Sequence, residues 1–560
     1  MATRRPKIRQ LFTDNTMSAT DPILDAVTAP GSPFELVSVD GVNHFANAPQ
    51  NLDQFISSAA RHGDKTFIVE GDTRLTFTET FALRDALAAE LAIQPGDRVA
   101  LCMRNRSEWL IGYMAVVRAG GVVALINSRG SPEELAGAVD SVEASVVLAD
   151  KRRAALLREG GYSGRIIEAQ DFPPAGATFD PPAPASPDDP AAILFTSGTT
   201  GRVKGAVLTH RNVITGIMSM QMAGMMVLHN TAKAMGMPVE QLMAHIPPQA
   251  VLLVYPLFHI SGMGAAFLSP LIAGTKVVIL PKWEASEAAR VIAREKITMF
   301  SAVPTMLWDM LREAQENEVD LSSLTNIGTG GQALPINLLD AMRKLCPQAV
   351  MGTGYGLTET TGSVAMAVGE DFLRNRASAG RVVPLVEMRI EGADGQELPK
   401  GEAGEIVVRC AQVMQGYWNM PDETAEVLSK DGWFKTGDVG YLDDEGYLFI
   451  VDRKKDMVIS GGENIYCAEV ERVLSEIPEV AECATFGIPD DRLGELLVAV
   501  VKAQGISEEA IIAHVGERLA RYKAPARVAF TSDALPRNHL DKVDKIALRD
   551  SWAELTKEHT

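Results

Sequence analysis

The chain of 560 residues is short of several things, and each shortage excludes something. It holds five cysteines, Cys102, Cys346, Cys410, Cys467 and Cys483, which are scattered and form no CxxC pair. That pattern argues against a disulfide framework and a cysteine zinc site, and suits a reducing, cytoplasmic setting. Positive charge is also scarce: 53 Lys+Arg against 72 Asp+Glu leave a formal net charge of −19. Nucleic acid is thereby excluded as a main partner, because neutralising its phosphates needs a basic face. Local basic sites for a nucleotide are not excluded. Long unbroken apolar runs are missing as well. Ala250 to Thr275 carries no Asp, Glu, Lys or Arg and is long enough for a membrane span. Pro256, Pro270, three glycines and His259 interrupt it, so it reads as buried core beside a site. Arg4, Arg5, Lys7 and Arg9 are followed by no apolar stretch, which reads as a short disordered arm rather than a signal peptide.

Hydrophobic residues make up 46% and charged residues 22%, as in soluble globular proteins, and the length exceeds what one core accommodates. The chain is organised around Leu194 to His210, LFTSGTTGRVKGAVLTH. An apolar run stops at Thr196, Ser197, Gly198, Thr199, Thr200 and Gly201; Gly205 offers a turn, and a second apolar run follows. Strand, loop, strand is the expectation. Glycines let successive backbone N–H groups point at one anion, hydroxyls add donors, and Lys204 adds a mobile positive charge. This is the chemistry of a phosphate cradle, but not the P-loop pattern, since no Gly-Lys-Ser/Thr follows at the right spacing.

Before the cradle, helix patterns (Leu52 to Arg61, Thr76 to Leu91, Trp109 to Ala119) alternate with short apolar strands (Thr66 to Val69, Val99 to Cys102, Val122 to Ile126). That alternation implies parallel βαβ units. Pro173 to Pro190 reads as an extended connector. Eight methionines between Met218 and Met243 suggest either a pliable wall for a fatty chain or an ordinary helical core or insertion. Leu324 to Gly328 and Val350 to Gly354 read as strands running into glycine turns, where doubly wound sheets place ligands. After Arg381, short alternating strands such as Gly404 to Arg409 suggest a small β subdomain. The charge run Asp452 to Asp456 reads as a solvated turn, and an α+β domain follows it.

Taken together, the cradle and the strings GYGLTET (Gly354 to Thr360), FKTGDVG, DRKKD and GGENIYCAEVE resemble the adenylate-forming superfamily. That superfamily includes acyl-CoA synthetases, firefly-type luciferases and peptide-synthetase adenylation domains. The resemblance runs from about Asp53 to Arg549 with the motifs in family order, and is most like fatty-acyl-CoA ligases. It implies an α/β fold: a large N-terminal domain of doubly wound sheets with a small β subdomain, and a small mobile α+β C-terminal domain. The expected parts are a lead-in at 1–50, an adenylation domain at 51–454 and a C-terminal domain at 455–560, with Lys455 as hinge.

The resemblance also implies roles. Glu359 is expected to hold magnesium and Thr358 to touch the α-phosphate, since a hard cation needs carboxylate oxygen. Alone, a Thr-Glu pair reads as a helix cap. Asp438 matches the ribose-binding aspartate and Arg453 its partner. Gly330, Gly331, Gln332 and Tyr355, with Gly354 and Gly356, match the adenine slot. Gly461 and Gly462 match the motif that faces the pantetheine arm of coenzyme A. His259, in PLFHISG, stands where relatives place a gate by the acyl carboxylate. Amino-acid-activating domains carry an aspartate there, so an amino-acid substrate is disfavoured. Two departures stand out: Val203 replaces the proline before Lys204, and Asp541 replaces the glycine before the adenylation lysine. Spacing from Pro536-Arg537 puts Lys542 at that position, with Lys545 a second candidate.

The resulting expectation is an ATP- and Mg2+-dependent ligase joining a fatty or other hydrophobic acid to coenzyme A. The alternatives are an acyl-AMP ligase serving a carrier protein and a weakly active nucleotide-binding homologue. No transmembrane segment is expected, and base rate alone favours a homodimer.

Overall fold

The computed structural model describes residues 22–197, 203–330, 336–454, 456–460, 463–490, 492–537 and 543–556. The chain divides into two compact units. The first comprises Met1–Met388, Val408–Phe434 and Asp443–Leu448; the second comprises Arg389–Val407, Lys435–Leu442 and Phe449–Thr560.

The first unit contains two sheets. One has the strand order Gly416–Tyr417, Val203–Thr209, Pro190–Ser197, Val122–Leu125, Arg98–Cys102, Val146–Ala149, Ile166–Glu168. From Pro190–Ser197 onward its strands pair in parallel. Val122–Leu125 and Val146–Ala149 are buried along their whole length. Such unbroken apolar strands are what a sheet covered on both faces requires. Local signals start the covering helices. Thr76 and Glu79 form a reciprocal capping box before the helix Phe77–Leu91, and Ser131 with Glu134 does the same before Pro132–Ser141.

The second sheet runs, within this unit, Gly380–Val382, Gly362–Val368, Val350–Leu357, Asn326–Gly330, Met299–Ser301, Ala250–Leu253, Lys276–Ile279, Thr66–Glu70, Thr73–Thr76. Its middle is parallel and carries the larger apolar cluster, including Phe300, Leu307, Met342 and Phe372. The charge-free stretch is core, as expected: Ala250–Leu253 is a buried strand, and Ser261–Leu268 forms a π-helical turn that buries Met263, Phe267 and Leu268. Among the described residues, no helix is long and apolar enough to cross a membrane. The methionine-rich segment is the helix His210–Met235 followed by Val239–His245. Met218 and Met222 are buried, whereas Met235 and Met243 are exposed, so the segment is core at its start and surface insertion at its end.

The second unit has strands at Val458–Ser460, Glu463–Ile465, Gly494–Ala503, Val480–Asp490 and Arg527–Phe530 in one sheet. The helices Cys467–Leu474 and Glu508–Arg518 pack on one apolar cluster, and Lys545–Asp550 on another. Asp452 departs from expectation. It is 5% exposed rather than solvated. Its carboxylate accepts the backbone N–H of Arg453 at 2.7 Å and of Ala468 at 3.2 Å, meeting the start of the helix Cys467–Leu474. Burial pushes that carboxyl up to about 6, against the opposing pull of Lys545 and these hydrogen bonds.

Candidate active site

The strands Pro190–Ser197 and Val203–Thr209 form an antiparallel hairpin that sets Ser197 opposite Val203 and Thr196 opposite Lys204. The flanking strands are as expected; Gly198, Thr199, Thr200 and Gly201 lie outside the described residues. Gly205 does not turn the chain. It lies inside its strand opposite Phe195, where a Cβ would meet Ile193 Cγ2 at 2.9 Å. Its missing side chain therefore serves close packing.

The string GYGLTET takes a different shape from the one its glycines suggest. Gly354, Tyr355 and Gly356 sit within the strand Val350–Leu357, not in a turn after it, and Gly330 pairs opposite Gly354. A Cβ on Gly356 would run into the backbone carbonyl of Gly362 on the paired strand, so this position needs glycine. Thr358 and Glu359 lie in the single 3-10 turn Thr358–Thr360, which connects Val350–Leu357 to its antiparallel neighbour Gly362–Val368. Thr361 after it has φ +49°, a conformation costly for a β-branched residue. It is held there by its own hydroxyl, which donates to the Gln412 carbonyl at 2.6 Å. Gly216 also matters here. Any Cβ on it would collide with the Thr361 carbonyl, so glycine lets the long helix press against this turn. Gly331 and Gln332 lie outside the described residues.

One segment that sequence reasoning missed, Cys410 to Trp418, ties these pieces together. Met414 N donates to the Glu359 carbonyl at 2.8 Å, Gln415 N to Val207 O at 2.9 Å, and Trp418 N to Gly205 O at 2.7 Å. Asn212 from the long helix donates to Ala411 O at 2.9 Å. The Tyr417 hydroxyl donates to Glu359 Oε1 at 3.1 Å, and Lys204 Nζ lies 4.8 Å from the centre of the Tyr417 ring. Burial, then the Glu359 carboxylate, pushes the Tyr417 phenol well above its usual value. Glu359 is 8% exposed and, among the described residues, has no salt-bridge partner. A buried carboxylate that accepts a hydroxyl and, among the described residues, meets no counter-cation fits one ligand of a hard cation. Mg2+ is ordinarily held by one or two carboxylates plus substrate phosphates. The signal that could have found this segment was its Gly-Tyr-Trp string after a short apolar run.

His259 follows a turn whose backbone is pinned by Asn105. Asn105 Nδ2 donates to Tyr255 O at 2.8 Å, and Leu257 N donates to Asn105 Oδ1 at 3.0 Å. His259 is half-buried, its ring 4.4 Å from that of Phe258, at the entrance to the π-helical turn. Chains inserting a π turn often do so at functional sites.

In the second unit, Asp438 and Arg453 are brought together. Arg453 Nε lies 3.2 Å from Asp438 Oδ1, and Asp438 is buried while Arg453 is 42% exposed. Lys454 N donates to Gly437 O at 2.9 Å, so the two strands carrying the pair are fastened beside it. Of the two lysine candidates, Lys545 lies among the described residues. Lys545 is half-buried in an ion pair with Glu471 at 2.8 Å, and Glu471 Oε1 also accepts Thr485 N at 2.7 Å. Lys545 is desolvated, yet Glu471 holds its ammonium above the usual lysine value. Lys542, Lys455, Gly461 and Gly462 lie outside the described residues.

Comparison with known proteins gives the family of the chain. Residues 55–418 match the AMP-binding enzyme family, and residues 469–542 match the AMP-binding enzyme C-terminal domain. The chain belongs to the AMP-binding enzymes, the adenylate-forming acid–thiol ligases. It is 33% identical over 507 residues to a long-chain-fatty-acid–CoA ligase of Mycobacterium tuberculosis, covering 86% of this chain and 94% of that one. It is 36% identical over 491 residues to a feruloyl-CoA synthase of Amycolatopsis, covering 86% and 95%. Its fold matches the o-succinylbenzoate coenzyme A synthetase of Bacillus subtilis in complex with AMP, with TM-score 0.76, 30% identity, and 90% and 98% of the two chains covered. The same enzyme in complex with ATP and magnesium matches at TM-score 0.74 with 30% identity over 89% of this chain and 98% of that one.

Proposed function

We propose that this chain activates a hydrophobic carboxylic acid with Mg-ATP and passes the acyl group to coenzyme A. A carboxylate oxygen attacks the α-phosphorus, the bond to the β-phosphate oxygen breaks, and acyl-AMP and pyrophosphate result. The coenzyme A thiolate then attacks the acyl carbon, the acyl–oxygen bond breaks, AMP leaves and the thiol proton goes to solvent. The observation that carries the reading is the convergence of Lys204 and Glu359 on one tyrosine at the base of the hydroxyl-rich hairpin. A cation and a buried carboxylate so placed suit a polyphosphate and its metal. Magnesium, when bound, neutralises phosphate charge. Glu359 would hold it, the loop from Thr196 to Gly201 with Lys204 would bind phosphate oxygens, and Thr358 would touch the α-phosphate. Gly330, Gly331, Gln332 and Tyr355, with Gly354 and Gly356, would form the adenine slot. Asp438, oriented by Arg453, would accept the ribose hydroxyls. Lys542 would bridge acid and α-phosphate, a task for which Lys545 is poorly placed while paired with Glu471.

The acid class rests on the apolar, charge-free stretch in which His259 stands and on that residue itself, which offers no carboxylate for a substrate ammonium. Relatives named for fatty, ferulic and succinylbenzoic acids share an apolar body rather than one acid. Each added buried methylene contributes up to about 0.8 kcal/mol until the pocket is full. The domain reading places a hinge at Lys455, with 455–560 rotating to bring Gly461 and Gly462 to the thioester step. Pyrophosphate release over a panel of acetate, amino acids, and medium and long apolar acids, with and without coenzyme A, tests both halves. The highest specificity constant on acetate or an amino acid would overturn the acid class. Acyl-AMP as the only product with coenzyme A present would favour delivery to a carrier protein.

A further inference from the structure

The Tyr417 side chain touches two residues that the proposed reaction uses. Its hydroxyl donates to Glu359 Oε1 at 3.1 Å, and its ring face meets Lys204 Nζ at 4.8 Å. Its backbone is itself fixed: Tyr417 N donates to Thr424 Oγ1 at 2.9 Å, and Gly416–Tyr417 pairs with Val207 and Ala206 of the hairpin. The phenol is thus a rigid arm with two different working surfaces. One oxygen of Glu359 is engaged by the hydroxyl, which leaves Oε2 as the oxygen for a metal. The electron-rich ring face restrains the lysine ammonium, a long flexible group that would otherwise sample many rotamers.

We propose that Tyr417 is a positioning residue for adenylation: its hydroxyl orients the Glu359 carboxylate for the metal, and its ring orients Lys204 for the polyphosphate. This rests on the reading of Glu359 as the magnesium ligand. The two surfaces can be cut apart. Tyr417→Phe removes the hydroxyl and keeps the ring; Tyr417→Leu removes both.

For Tyr417→Phe, adenylation should fall about 10-fold, the scale of one hydrogen bond to a charged group, with a raised Mg2+ requirement. Binding of Mn2+ with a non-hydrolysable ATP analogue, read by electron paramagnetic resonance without turnover, should weaken to a similar degree. Binding of a fluorescent ATP analogue without metal should be unchanged in Tyr417→Phe and weakened several-fold in Tyr417→Leu. In a double-mutant cycle, Tyr417→Phe should cost little more once Glu359→Gln is present, because the hydroxyl acts through that carboxylate. Thermal unfolding of each variant checks that the fold is kept; a purely structural role would move melting and metal-free nucleotide binding together. Full additivity in the cycle, or unchanged Mn2+ binding in Tyr417→Phe, would overturn the role. A crippled Glu359→Gln beside a fully active Tyr417→Phe would overturn it while sparing the metal reading. A fully active Glu359→Gln would overturn both.

Discussion

At the scale of single residues, a lysine is only as useful as its partners allow. Lys545 neutralises Glu471, whose carboxylate also receives the Thr485 N–H, and an ammonium so engaged is held away from substrate. Removing it leaves a partly buried carboxylate unpaired. Lys545→Ala should therefore lower melting by several degrees and reduce adenylation mildly. Lys542→Ala should cost adenylation roughly 100-fold or more, the scale of a lost transition-state charge contact, and leave thioester formation from supplied acyl-AMP near normal. Half-reaction rates for the two variants check this, and the opposite pattern would move the catalytic role to Lys545. His210 shows the same dependence on surroundings. Its Nδ1 accepts the Leu52 N–H at 3.0 Å, and burial outweighs the attraction of Asp189 and Asp53, lowering it to about 4. The unfolded chain takes up this proton near pH 6.5 and the folded chain only near pH 4, so stability is lost as pH falls through that window. The loss is of order 3 kcal/mol. His210→Asn keeps an acceptor without the titration, and the difference in melting temperature between it and the parent should shift between pH 6.5 and 4. Equal pH slopes would refute the assignment. Comparing the two chains cancels Asp452, whose raised carboxyl changes stability in the opposite sense between about pH 4 and 6.

At the scale of elements, the hairpin of Val350–Leu357 and Gly362–Val368 decides where Glu359 can be. Gly356 faces a backbone carbonyl, which cannot move aside, whereas a Cβ on Gly354 would meet the Ser363 hydroxyl at 3.1 Å, which can. Gly356→Ala should thus destabilise by about 3 kcal/mol and Gly354→Ala by under about 1 kcal/mol. Denaturant unfolding of both variants checks the contrast; equal costs would mean that the strands part more easily than their pairing implies. Much at this scale was legible beforehand. The helix pattern read over Thr76 to Leu91 is the helix Phe77–Leu91 with Thr76 as its cap, because a capping threonine and Glu79 mark its start locally. The strands flanking the cradle were legible from local pattern as well. The glycines of GYGLTET were misplaced into a turn, because a glycine required by a neighbouring strand looks in sequence like one required by a positive φ.

At the scale of the whole molecule, interchange between two poses of the C-terminal domain is the remaining element of the proposed cycle. Lys455→Pro would fix φ at the proposed hinge and remove an N–H donor. One half-reaction should survive at least tenfold better than the other; equal losses in both would point to misfolding. Reading by sequence alone reached the family, the α/β architecture and the two strands that flank the Thr196 to Lys204 loop, because each is written in local spacing and order along one stretch of chain. It did not reach Tyr417, Gln412 or Gly216, nor the pairing that occupies Lys545. Those depend on residues from distant parts of the chain meeting in space. Tyr417 stands 58 positions from Glu359 and Lys545 stands far from Glu471, so the hydrogen bond and the ion pair exist only once the strands and helices have packed. Local pattern determined which chemistry the chain carries; tertiary packing decided which carboxylate meets the Tyr417 hydroxyl and which lysine is already engaged.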